Sequence, residues 1–302
     1  MKLFIYQGRL RSGWRLLLHT FMVLFFTFLL GIPLILIAGG VDNLPGQPIG
    51  QGYTSFENRW FLISQLSFAL GLTLATVLAR RWLDKKSFRS LGLEINRWTA
   101  IDLVAGILIA GCMMGGIFLF ELAIGWLRIE GFTWQTENFN KLWQEVFLVA
   151  LLFILVGWTE ELLSRGYQLQ NLVEGLNKPL GVILSSLIFA ILHQANPSFT
   201  LSAFIGLFFA GLFFCFAYYR LGNLWMPIGL HIGWNFFEGV VFGFQVSGLD
   251  NLPKLILQTV AGPEWLTGGA FGPEAGGILA VGLLTGIGLL LLYQRWRGTK
   301  SG

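Results

Sequence analysis

The sequence predicts an all-α fold: a polytopic transmembrane helical bundle of about eight spans, with both termini cytosolic. Three observations predict it. Of 302 residues, 55% are hydrophobic and 12% charged, with mean hydropathy +0.67, whereas a soluble domain carries about 25% charged residues. The apolar runs are about 20 residues long, enough for a helix to cross the hydrocarbon layer and far longer than the ~10-residue alternating segments of an outer-membrane barrel. The basic residues are also distributed unevenly between alternate connections.

The expected spans are 14–38, 60–80, 101–127, 147–168, 179–195, 199–219, 223–244 and 276–293. With a cytosolic N-terminus, only Arg59, Arg128, Lys141 and Lys254 fall on the outer side. The other sixteen of the 20 Lys and Arg residues fall on inner segments or inner span ends. That is a strong positive-inside bias. The net charge of +4 therefore reports topology, and no nucleic-acid partner is expected. Eight spans use most of the chain and leave no room for a soluble domain.

Taken in order, the first span comes after Arg9, Arg11 and Arg15. Its apolar core of about 23 residues exceeds the 7–15 of a secretory signal, and no A-x-A site closes it, so an uncleaved span is expected. His19 lies near its inner end and is read as an interfacial residue without a role. The outer loop 39–58 is rich in Gly, Pro and Asn and reads as irregular. The inner loop 80–99 (RRWLDKKSFRSLGLEINRWT) alternates basic and apolar residues. It suits either a segment lying on the anionic leaflet or a plain basic anchor.

Cys112 and Cys215 sit in apolar spans outside any CxxC, and read as inert packing residues without a disulfide. The loop 245–275 surrounds a short apolar stretch, PKLILQTV, expected as an interfacial helix. Trp14, Trp60, Trp82, Trp98, Trp126 and Trp225 lie near proposed span ends, as an aromatic belt would. No internal repeat is visible. The chain divides into three segments: 1–97, N-terminal spans and basic loop; 98–245, a core carrying the chemistry; and 246–302, outer loop and last span.

Against this apolar background, Glu160, Glu161 and Arg165 form E-E-x-x-x-R inside the fourth span. One ionised carboxylate at the bilayer centre costs at least ~2.5–3.5 kcal/mol. Residues four apart share a helix face, so Glu161 and Arg165 can pair. Adjacent residues point about 100° apart, so Glu160 faces elsewhere and is the candidate reactive carboxylate, a general base once burial has made it more basic. The plain alternative is an interhelical ion cluster. Phe189 and His193 form F-x-x-x-H near the end of a short span, where a histidine is as readily a satisfied polar residue. His231 and Asn235 form H-x-x-x-N, with Glu238 continuing their stripe. An imidazole and a carboxamide aimed at one point can hold an oxyanion, or bridge helices structurally. Gly229 and Gly233 leave room for close packing around them.

The three motifs, in this order on separate spans, resemble the CPBP intramembrane proteases, which include CAAX prenyl endopeptidases and bacterial bacteriocin-processing or abortive-infection proteins. The resemblance covers roughly 98–245, and LTGGAFGPE (266–274) also looks like bacterial members. It implies a membrane-embedded endopeptidase in which Glu160 and His193 activate water. His231 and Asn235 would stabilise the tetrahedral oxyanion, and Glu161 with Arg165 would support the site. The role of His193 comes from the resemblance alone.

Such proteins are commonly labelled metalloproteases, and Glu160, His193 and His231 would be the ligands of a catalytic zinc. No H-E-x-x-H is present, and Glu160 cannot be both ligand and unhindered base, so a metal-free, glutamate-activated water is the preferred reading. The competing classes are a proton-coupled transporter, which should show repeats or paired broken helices, and a non-catalytic membrane scaffold. The expected partners are a membrane-associated peptide or protein substrate and the lipid bilayer. The expected location is a bacterial plasma membrane, and for a bacterial protein prenylated proteins are not the expected targets, although the sequence does not name the substrate.

Overall fold

The computed structural model describes residues 4–6, 8–37 and 59–301, so the loop expected at 39–58 lies outside the described residues. The helices are α1 (Ser12–Ile37), α2 (Arg59–Trp82), α3 (Thr99–Ala123), α4 (Phe139–Glu161), α5 (Leu169–Gly175), α6 (Lys178–Leu192), α7 (Leu201–Leu221), α8 (Trp225–Asn235), α9 (Glu264–Thr267) and α10 (Leu279–Ser301). Two-residue strands β1 (Ile5–Tyr6) and β2 (Arg9–Leu10) pair antiparallel, as do β3 (Leu127–Phe132) and β4 (Ile256–Val260). Among the described residues, six helical segments are long and apolar enough to cross a membrane, and Lys178–Leu192 is a shorter apolar helix. This is an all-α, polytopic integral membrane protein.

The chain forms two compact units, residues 1–94 with 154–185, and 95–153 with 186–302. Segment 154–185 belongs to the same unit as the N-terminal residues.

In the first unit, α1 and α2 pack closely at Gly71, where a Cβ would stand 2.6 Å from the Thr27 backbone nitrogen. Phe21, Phe25 and Phe28, spaced by helical turns, are 60%, 61% and 67% exposed, as suits a lipid-facing stripe. His19, expected to have no role, has partners inside the protein. It is buried, 2.9 Å from Thr76 Oγ1 and stacked 3.8 Å from the Tyr167 ring. Thr76 lies 57 residues away, which no local pattern announces.

Parts of the basic inner loop are buried. Asp84 is buried and accepts from Arg15 and Arg80, each at 2.8 Å. Glu174 then takes Arg15 at 2.9 Å, Arg9 at 3.0 Å and Lys86 at 2.8 Å. Leu91 and Leu93 are buried as well. Arg9, Arg15, Arg80 and Lys86, all counted for topology, are thus paired with two carboxylates.

In the second unit, α3 and α8 interlock through glycines. A Cβ on Gly106 would stand 2.6 Å from Met226 O, one on Gly229 2.1 Å from Leu103 O, and one on Gly233 2.6 Å from Ile107 O. The close packing read from Gly229 and Gly233 is therefore present. We expect Gly229→Ala to destabilise the fold by at least the ~1–3 kcal/mol of core overpacking, because the obstacle is backbone and cannot swing aside. A thermal melt in detergent checks this; an unchanged midpoint would show that α3 can retreat. Elsewhere in this unit, buried Asp102 accepts from Asn223 (2.8 Å) and Tyr293 (2.7 Å) and pairs with Arg297 (3.0 Å). Cys112 and Cys215 are free thiols.

Two expectations fail here. The third span ends at Ala123, not 127, because Gly125 takes φ +78° and leads into β3. PKLILQTV is not a helix: Ile256–Val260 pairs with β3 through Leu127↔Val260, Arg128↔Thr259 and Ile129↔Gln258, with a bulge between Ile129 and Gly131. So short a helix would leave much of its backbone without intrahelical partners. A distant strand supplies partners along the segment.

Candidate active site

Glu160 and Glu161 close α4, and the chain continues directly into a π-helical turn, Leu162–Gln168. Glu161 and Arg165 are both buried, and Arg165 Nη1 donates to Glu161 Oε1 at 2.9 Å. The expected pairing is present. Glu160 is only half-buried, so the adjacent carboxylates stand in different surroundings. A π turn widens the i→i+4 ladder to i→i+5 and often marks functional sites. All three residues belong to the first unit.

His193, His231 and Asn235 belong to the second unit. His193 stands just past the end of α6. Its Nδ1 lies 2.8 Å from Phe189 O, and a carbonyl can only accept, so this contact assigns the proton to Nδ1. In the neutral ring Nε2 then carries the lone pair. The Phe of F-x-x-x-H thus contributes its backbone as well as its ring. That ring touches both imidazoles, with centroids 4.8 Å from His193 and 6.3 Å from His231. Phe214 stacks on His231 at 5.2 Å. His231 and Asn235 are buried, one turn apart on α8, and a second π turn, Phe236–Val241, begins immediately after Asn235.

Sequence reasoning left Glu274 without a role, although its segment was singled out. Glu274 is buried, and it accepts from Trp234 Nε1 at 3.1 Å and from the Ser247 hydroxyl. Burial pushes its carboxyl above the usual carboxylate range. The Ser247 hydrogen bond opposes that shift, with smaller opposition from positive charge at His193 and His231 and then from the Trp234 indole. Both candidate histidines therefore lie within electrostatic reach of this carboxylate. The available signal was isolation: Glu274 is the only charged residue between Glu264 and Arg295. Glu238, the continuation of the H-x-x-x-N stripe, is fully buried nearby, its Oε1 3.5 Å from where a Cβ on Gly272 would stand.

Residues 142–237 match the family described as Type II CAAX prenyl endopeptidase Rce1-like, a stretch that contains all three motifs. The chain is 25% identical over 237 residues to a Bacillus subtilis (strain 168) protein named "Putative membrane peptidase YdiL", covering 76% of this chain and 88% of that one. No solved structure matches it. The stretch that carries the three motifs is thus similar to the CAAX prenyl endopeptidase family, and the chain is similar over most of its length to a protein named as a membrane peptidase.

Proposed function

We propose that this chain is an intramembrane endopeptidase that hydrolyses a peptide bond of a membrane-associated peptide or protein, in a bacterial plasma membrane, with both termini cytosolic. Glu160, assisted by His193, takes a proton from water, and the hydroxide attacks the scissile carbonyl. His231 and the Asn235 carboxamide donate to the oxyanion, and the abstracted proton passes to the leaving amine. Water is consumed, and a carboxylic acid and an amine leave. Glu161 and Arg165 hold the helix that carries the base.

The observation that carries this reading is the locked His193 ring. Its Nδ1–H is committed to Phe189 O at 2.8 Å, so Nε2 is the nitrogen able to accept a proton, and the same Phe189 ring also contacts His231. A base must reach its proton within hydrogen-bond range, directly or through one water. Glu160 meeting this histidine pair is therefore part of the proposal.

Removing a single oxyanion donor costs ~10²–10³ in turnover, so Asn235→Ala should cleave a candidate substrate that much more slowly yet measurably. An Asn235→Ala enzyme as fast as wild type would remove Asn235 from the mechanism. Among the described residues, no group of three or more His, Cys, Asp and Glu side chains is arranged to hold a metal ion, and no step above runs through one. Metal analysis of purified active protein tests that choice. Stoichiometric zinc, lost together with activity in His193→Ala and His231→Ala, would overturn the metal-free account.

A further inference from the structure

In the second unit, the F-x-x-x-H and H-x-x-x-N segments are linked through hydrogen bonds that neither motif contains. Trp234, between His231 and Asn235 on α8, donates its indole N–H to Glu274 Oε1 at 3.1 Å. The other oxygen, Oε2, accepts the Ser247 hydroxyl. The Ser247 carbonyl accepts Asn196 Nδ2 at 3.2 Å, and the Asn196 backbone N–H donates to His193 O at 2.9 Å. One carboxylate thus closes a path from the His193 turn to the helix carrying His231 and Asn235.

The surrounding backbone is shaped for this. Ser247 adopts φ +48°, a left-handed conformation uncommon for a serine. Such outliers persist only where neighbours over-determine them. Gly268, Gly269 and Gly272 all have positive φ, and a Cβ on Gly206 of α7 would stand 1.7 Å from Glu274 O. The loop is pressed against α7, with the Glu274 side chain turned into the protein.

We propose that Glu274 is a positioning residue of the peptidase site, acting through Trp234 and Ser247 to fix the directions in which Asn235 and the two histidines point. It touches no substrate. This rests on the endopeptidase reading above. The physical basis is geometric: a misplacement of about 1 Å caused away from the chemistry can cost ~10²-fold in rate.

The test is a double-mutant cycle on substrate cleavage by the full chain in detergent or lipid. Glu274→Ala should lower kcat by ~10–10²-fold with little change in KM. Trp234→Phe, which keeps an aromatic ring but removes the indole donor along with part of the ring, should lower it in the same direction. Glu274→Gln can accept from Trp234 and donate to Ser247, and should recover about tenfold or more of the Glu274→Ala loss. In an Asn235→Ala background the Glu274→Ala loss should shrink to ~2–3-fold, because positioning an absent donor has no value; residues acting together are non-additive. A merely structural role would give the same fold-loss in both backgrounds, and that result overturns the proposal, as does a Trp234→Phe enzyme at wild-type rate. Should Glu274→Ala fail to fold, Trp234→Phe run through the same cycle decides the question. Absence of cleavage by the wild type would instead defeat the endopeptidase reading, and this inference with it.

Discussion

Glu160→Gln is expected to abolish turnover while leaving the protein folded and able to bind substrate. The amide keeps the size of the side chain and removes the one group assigned to accept the water proton. Glu161 cannot replace it, since it is buried and held by Arg165 at 2.9 Å. A positioned base contributes ~10²–10⁴-fold, so the loss should exceed that of Asn235→Ala whenever the base also orients the nucleophile. The measurement is cleavage of a candidate substrate alongside capture of that substrate by the inactive variant. Residual activity within a factor of about ten would exclude Glu160 as the base. A scaffold would work equally well without it.

The second large effect is on folding. Arg165→Ala should leave the buried Glu161 without its cation, which for a broken buried pair costs ~3–5 kcal/mol. That is a large share of the roughly 5–15 kcal/mol stability of an ordinary domain. We expect a lower folded, detergent-extractable yield and a lower melting midpoint, with activity falling in proportion to folded protein. Glu161→Gln should be milder, since the amide oxygen still accepts from the guanidinium. A stable, monodisperse Arg165→Ala protein with no turnover would make Arg165 part of the chemistry instead.

The parts of this fold that were legible in the sequence are those set by local period and by the cost of polarity in an apolar setting. Long apolar runs gave the spanning helices, and the i, i+4 rule gave the Glu161–Arg165 pair. Glycines at 229 and 233 announced a tight helix crossing. Elsewhere a long-range partner decided. PKLILQTV has no helical or strand signature strong enough to resist β3, and nothing adjacent in the chain reveals that strand. The contacts of His19 were hidden because Thr76 and Tyr167 are remote in sequence. Within the candidate site, the ring lock of His193 was hidden for a different reason: its acceptor is a backbone carbonyl, which every residue possesses. The Glu274 bridge was hidden because Trp234, Ser247 and Asn196 are unremarkable until folding joins them.

The π turns have a consequence for chain length. In an α-helix, deleting one residue rotates the upstream part by about 100° relative to the downstream part. Deletion at Leu152, within α4, should therefore carry the upstream face of that helix around its axis and ruin its packing. A π turn, by contrast, holds a surplus residue within its wider ring. Shortening Leu162–Gln168 by one residue away from Arg165 should let the turn tighten into an ordinary α turn, with the stretches on either side kept nearly in phase. Tolerance to single-residue deletion ought then to peak within this π turn, the reverse of what a uniform helix would show.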